Sequence, residues 1–390
     1  MDEPQTTAFV RALMAAFAER TGLIGERPPR RYLWTDAFAV CNFLALERRT
    51  GDGAHLALAK RLVDQVHRVL GRHRGDDGRA GWLSGLAEQE GAAHPTLGGL
   101  RIGKPLPERR PDEPIDERLE WERDGQYFHY LARWMHALVR LGRETGESAY
   151  LRWGSELALT AYHRFTVVPR PGARRRMVWK LSIDLTRPLV AAMGQHDPLD
   201  GLVTALELRA AAAALGEDPA VDLTTPIAGY GAMGAGANLA TTDPLGIGGL
   251  LSAADTLSAL AGEGVAGLAD LVVTLLDEAR RGLEDPTTRE GILDLPARDR
   301  LAFRELGLSI GLRAVRRTRE RLDRDPAAPS ALPYLPGSPD RLRRHDGLVE
   351  TIEGCWLDPA HRADANWQAH EDINAVMLAT SLAPEGYLAR

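Results

Sequence analysis

The chain has 390 residues, 44% hydrophobic and 26% charged, with a formal net charge of −6. That balance describes a soluble globular chain with material for a large core, and it excludes a general electrostatic attraction to nucleic acid or to an anionic membrane surface. The two cysteines, Cys41 and Cys355, are too few for a disulfide framework or a thiolate metal site and read as buried thiols.

At the start, Met1-Asp2-Glu3-Pro4 lacks the basic segment and apolar core of a secretion signal. No stretch approaches the roughly 20 apolar residues of a membrane span, so the expected setting is the cytoplasm. Phe9, Leu13 and Phe17 followed by Thr21-Gly22 predict a first helix with its stop signal. A second covers 38–46 and ends at Arg48-Arg49-Thr50-Gly51, and a third covers 56–70. Residues 72–122 break the rhythm with many Gly and Pro, Trp82 and the acidic run Asp112-Glu113, Asp116-Glu117. This stretch reads as a long loop over a site rather than a domain boundary. The rhythm returns at Asp124-Gly125-Gln126-Tyr127-Phe128-His129-Tyr130, stops at Thr145-Gly146, and resumes from Tyr150 to about Phe165. The repeating unit is therefore a helical hairpin. Gln195-His196-Asp197-Pro198-Leu199-Asp200-Gly201 then opens an Ala/Leu-rich helix, with Asp197 expected as its N-cap and Pro198 in the first helical position. The Gly-rich run 228–236 lacks the preceding strand and the Lys-Ser/Thr ending of a phosphate loop and reads as flexible backbone.

Six apolar helices share one kind of start, an Asp: Asp36, Asp124, Asp197, Asp243, Asp299 and Asp372. Alternating them with partner helices, clearest at 56–70, 150–165 and 267–283, predicts an all-α fold, an (α/α)6 toroid of helical hairpins in a single domain, 1–390. An open α-solenoid is the competing fold. In 170–195 and 325–365 the hairpins are inferred in part from spacing. Inner helices of a toroid bring their N-termini to one mouth, where positive dipole ends favour carboxylates.

Trp34-Thr35-Asp36, Trp121-Glu122-Arg123-Asp124-Gly125 and the run from Trp367 to Asp372 resemble the aromatic-plus-acid helix starts of the six-hairpin glycosidase-like proteins. That group includes glycoside hydrolases and the N-acylglucosamine 2-epimerase type of sugar isomerase. The resemblance implies a sugar-sized pocket and supplies no catalytic assignment.

Among the residues themselves, Asp197 and Asp200 lie three apart on one helix, close enough for each to perturb the other. Asp124 and Asp36 are further mouth acids. His129, His196 and His370 fall at equivalent places in three helices and suit proton transfer near neutral pH. The catalytic candidates are thus Asp200, Asp197, Asp124, His129, His196 and His370, with Asp200 favoured because Asp197 is accounted for by capping. Trp34, Trp121, Tyr127, Trp179 and Trp367 offer flat faces for a sugar, and Asp36, Lys180 and Asp372 offer polar contacts, as substrate-binding candidates. Asp184 is expected to pair with Lys180 or Arg187. These histidines lack the spacing of a metal site and no cofactor motif occurs, so neither a metal nor a cofactor is expected.

Three functions follow. The first is glycoside hydrolysis by paired carboxylates on a small polyhydroxylated substrate. The second is epimerisation or isomerisation of a sugar by the three histidines. The third is a non-catalytic helical-repeat binding protein in which each Asp only caps.

Overall fold

The computed structural model describes residues 1–216, 221–288, 295–324 and 340–388. The protein is all-α in class, and its only strands among the described residues are five short ones. It divides into two compact units, one spanning Ala18–Ala237 and one combining Met1–Phe17 with Asn238–Arg390.

Helix α1 covers Glu3–Arg20. The 18–237 unit is built on α2 (Leu33–Thr50), α3 (Gly53–Leu70), α4 (Phe128–Thr145), α5 (Ser148–Phe165), α6 (Asp197–Ala214) and α7 (Thr224–Gly234). Helix α2 is apolar nearly all round and is buried continuously from Leu33 to Leu46, which makes it a core helix rather than a surface one. It packs beside α4, and α4 beside α6, while α3, α5 and α7 each lie against the helix before them. The two Thr-Gly stop signals act as expected. Gly51 and Gly146 take left-handed conformations, with φ of 65° and 71°, and their N–H groups close the last turns on Glu47 and Gly142. Only a residue without Cβ enters that conformation cheaply, so each glycine fixes where its hairpin turns.

In the 238–390 unit the longer helices are α8 (Pro244–Gly262), α9 (Ala269–Glu284), α10 (Ala302–Arg324), α11 (Gly347–Leu357) and α12 (Glu371–Leu382). Here α8 packs beside α10 and α10 beside α12, with α9 on α8 and α11 on α10. Each unit is thus a row of three central helices with outer partners. Helix α8 is long and apolar enough to cross a membrane, contrary to the expectation that no stretch would be, but it is largely buried.

Of the two stretches inferred in part from spacing, the first differs from expectation. Residues 170–195 hold strands instead of a helical hairpin. β1 (Gln126–Tyr127) pairs antiparallel with β4 (Lys180–Leu181), which pairs with β5 (Pro188–Val190), while β2 (Thr166–Val167) pairs with β3 (Arg176–Met177). The run carries five arginines, and Gly and Pro break it into segments too short for helical periodicity. The Gly-rich run 228–236 is mostly helical, as the second half of α7. It is held by Tyr230, whose ring packs on Gly201 of α6 and edge-on to Tyr162 of α5. In the second stretch, 325–339 lies outside the described residues and 347–357 is helical as expected.

Candidate functional site

In the 18–237 unit the starts of α2, α4 and α6 lie together. The Tyr32 and Tyr130 hydroxyls meet at 2.6 Å, joining the first two, and Arg133 meets Asp200 at 3.0 Å, joining the last two. In the other unit the starts of α8, α10 and α12 also gather. Arg304 pairs with Asp243 at 2.8 Å, and the Phe303 N–H donates to Asn374 at 3.1 Å.

The β1–β4 pairing builds an aromatic wall at the first of these clusters. It sets Tyr127 opposite Lys180, and the backbone N–H of Phe128 reaches the carbonyl of Trp179. Trp179 consequently stacks on Tyr127 at 5.6 Å and on His129 at 6.1 Å, and meets Trp121 edge-on at 4.8 Å. Its indole N–H donates to Nδ1 of His129 at 3.2 Å. Trp121 is half exposed, and with Tyr127, Trp179, Glu120 and Ile115 it lines a pocket of about 280 Å³.

Tyr32, His129 and Tyr130 are half-buried and join Tyr127 and Trp179 in one floor of packed rings. Burial lowers His129 to about 3, helped by the Arg133 cation, and raises Tyr32 to about 12. His129 is therefore neutral near pH 7. With Nδ1 accepting from Trp179, its proton sits on Nε2.

Asp197 does not cap α6. The N-cap position belongs to His196, without a side-chain cap bond, and Asp197 is the first helical residue. Its Oδ2 turns back to accept the Gly194 N–H at 3.0 Å. It is 3% exposed, and burial first, then the neighbouring Asp200, pushes its carboxyl up to about 7. The Gly194 bond pulls the other way but is outweighed.

The remaining candidates take other roles. Asp124 has no exposed surface and precedes β1 rather than a helix. It binds Arg101 at 2.5 Å and Arg74 at 3.2 Å, and accepts from the backbone N–H groups of Gly103, Lys104 and Gly125. Those partners belong largely to the 72–122 excursion, so Asp124 ties the excursion to the start of α4. Asp36 accepts the Tyr32 N–H at 2.9 Å and pairs with Arg31 at 3.5 Å, holding the start of α2. Trp34 is buried against Phe38. Lys180 spends its three donor positions on the Glu120 carboxylate and the carbonyls of Glu120 and Arg123. Asp184 pairs with Arg79 at 2.7 Å, not with Lys180 or Arg187, because Lys180 already holds Glu120.

In the 238–390 unit, Trp367 stacks on Trp356 in the core, while His370 is exposed at the start of α12 beside Phe303, and Asp372 follows it in the first turn. Asp243 caps α8 by accepting the Gly246 N–H, and Asp299 lies in a short helical turn beside Arg298. Among the described residues no group of three His, Cys, Asp or Glu side chains is arranged to hold a metal ion.

Tyr32, Tyr130 and Arg133 belong to the site although their sequence pattern did not single them out. Tyr130 and Arg133 lie one and four residues beyond His129, a helical spacing that gives the signal for Arg133. No protein-family model matches the chain, and no curated protein matches it in sequence.

Proposed function

We propose that this protein is a carbohydrate-active enzyme, a glycoside hydrolase built as an (α/α)6 toroid, with its site at the gathered starts of α2, α4 and α6. The two rows of three central helices, each with starts drawn together, support that architecture. The observation carrying the chemistry is the unequal carboxyl pair. Asp197, pushed up to about 7, holds a proton near neutral pH, whereas Asp200 faces the Arg133 cation.

Hydrolysis of a glycosidic bond asks for that division of labour: a carboxylic acid protonates the leaving oxygen while a second carboxylate attacks carbon or activates water. Asp197 takes the acid role and Asp200 the other, so Asp197, which capping had set behind Asp200, joins it in the reaction. Trp121, Trp179 and Tyr127 supply flat apolar faces for the sugar. His129, neutral with its proton on Nε2, serves as a hydrogen-bond donor. A group lowered to about 3 is seldom protonated near pH 7 and is a weak base, so epimerisation through His129 gains no support.

The test is a screen of the purified chain against arrayed glycosides and free sugars, followed by Asp197→Asn. Release of reducing sugar is expected, with the variant losing on the order of 10²–10⁴ in rate, the worth of a positioned proton donor. Epimerised free sugars without glycoside cleavage would establish the histidine reading instead. Saturable sugar binding without turnover would leave the protein as a binding module.

A further inference from the structure

Beyond the helix starts, the 18–237 unit has a second concavity at the end of α3, of about 440 Å³. That lies within the roughly 300–1,000 Å³ usual for small-molecule sites. Asp64, His67 and Arg68 of α3, Trp82 and Glu88 of the excursion, and Trp153 of α5 line it. None of them takes part in the site described above.

His67 is 3% exposed, and its Nε2 accepts the indole N–H of Trp134 at 3.2 Å. Burial lowers it to about 3, so the ring is neutral near pH 7 and carries its proton on Nδ1. That N–H has no hydrogen-bond partner among the described residues, while the ring lines the concavity. That N–H is open to solvent in the concavity rather than sealed in the core, so a ligand acceptor there takes the place of water.

Asp64 and Arg68 stand one turn apart on α3, both exposed and both lining the same space. The Arg68 charge acts on Asp64 through space, but the two make no close ion pair, so the carboxylate and the guanidinium both keep hydrogen-bonding positions for a ligand. Arg72 lies over the Trp82 ring at 4.4 Å and pairs with Glu88. Two carboxylates and two guanidiniums therefore balance around a neutral imidazole. Trp153, half-buried and edge-on to His67 at 5.0 Å, contributes the apolar wall with Trp82.

We infer that this concavity binds a neutral polyhydroxylated ligand, a saccharide ring, at a site separate from the helix starts. The His67 N–H and the Arg68 guanidinium donate to ring hydroxyl oxygens, Asp64 accepts hydroxyl protons, and the C–H face lies against Trp153. The charge balance selects a neutral ligand over an anion. The inference stands on this concavity alone and does not depend on the reaction at the helix starts.

The full chain, labelled with ¹⁵N, gives one indole N–H signal per tryptophan, assigned by Trp→Phe substitution. Titration uses neutral mono- and disaccharides, with glycine and inorganic phosphate as comparators. A saturable shift of the Trp153 indole by at least one saccharide is expected. Arg68→Ala and Asp64→Asn, both at exposed positions, should each weaken it by roughly tenfold, the scale of one hydrogen bond to a charged group. The inference is overturned if no saccharide moves the Trp153 signal, if saccharides move only that of Trp179, if only glycine or phosphate moves it, or if both variants bind as tightly as the parent.

Discussion

Two buried aspartates, Asp124 just before β1 and Asp197 at the start of α6, have opposite surroundings. Asp124 meets two guanidiniums and three backbone N–H groups, whereas Asp197 meets one backbone N–H and a second acid. Both are almost without exposed surface. The difference is therefore in partners, not burial. A carboxylate whose acceptor sites are filled by donors is a structural anchor, and one left short of donors becomes a weak acid able to give up a proton near neutral pH.

The sharpest way to break this comparison is to empty the first site. Asp124→Ala leaves Arg101, itself buried, facing a void with its charge uncompensated. A loss of about 3–5 kcal/mol is expected on denaturant unfolding, the scale for removing one partner of a buried pair. The 72–122 excursion should become the first segment cut in limited proteolysis. A loss under about 1 kcal/mol would mean that the anchor is no anchor.

A slightly smaller effect is expected at Asp197, and it depends on pH. Its folded value of about 7 lies above the ordinary 3.8, so the fold disfavours the ionised form. The stabilising contribution of the protonated form is full below about 3.8 and is lost as pH rises to about 7. At 1.36 kcal/mol per pH unit, the decline is on the order of 2–4 kcal/mol across that window. Asp197→Asn, which cannot ionise, should flatten it. Unfolding curves of parent and variant between pH 4 and 8 check this, and parallel curves would return Asp197 to a structural role.

The helical class, the hairpin unit and the Thr-Gly stops could be read in the sequence because apolar period and glycine punctuation are local properties. Asp243 as the cap of its helix could be read too, since an Asp before an apolar run is visible in one dimension. What each acid does could not. Asp124 and Asp197 sit in comparable sequence settings, and only the approach of Arg74 and Arg101, 50 and 23 residues away, separates them. Trp34 and Trp179 likewise look alike in sequence. The first turns into the core, and the second is brought beside the start of α4 by strands two residues long, too short to leave a period.

The aromatic floor gives a milder test. Trp179→Phe keeps the stacking ring and removes the N–H that holds His129 Nδ1, a bond worth about 1 kcal/mol net. Stability should fall by about that amount. The ring proton of His129 should then exchange between both nitrogens, seen as a change in its ¹⁵N shifts toward a mixed tautomer. Unchanged ¹⁵N shifts would show that Trp179 does not set the tautomer.

The smallest stability effect is expected from Arg133→Gln, and it separates the two causes acting on His129. The Arg133–Asp200 pair is partly exposed, so its removal should cost less than about 1 kcal/mol. Burial is the larger reason for the low value of His129 and the Arg133 cation the smaller. In the variant His129 should therefore titrate higher than in the parent but still well below the ordinary 6.5, followed through its ring carbon resonance in an acid titration. If the variant reaches 6.5, charge alone held the imidazole down and the floor is a wet surface. If the parent itself titrates near 6.5, the floor is not desolvated at all, and the contrast between a filled anchor and a donor-poor acid loses its low-dielectric setting.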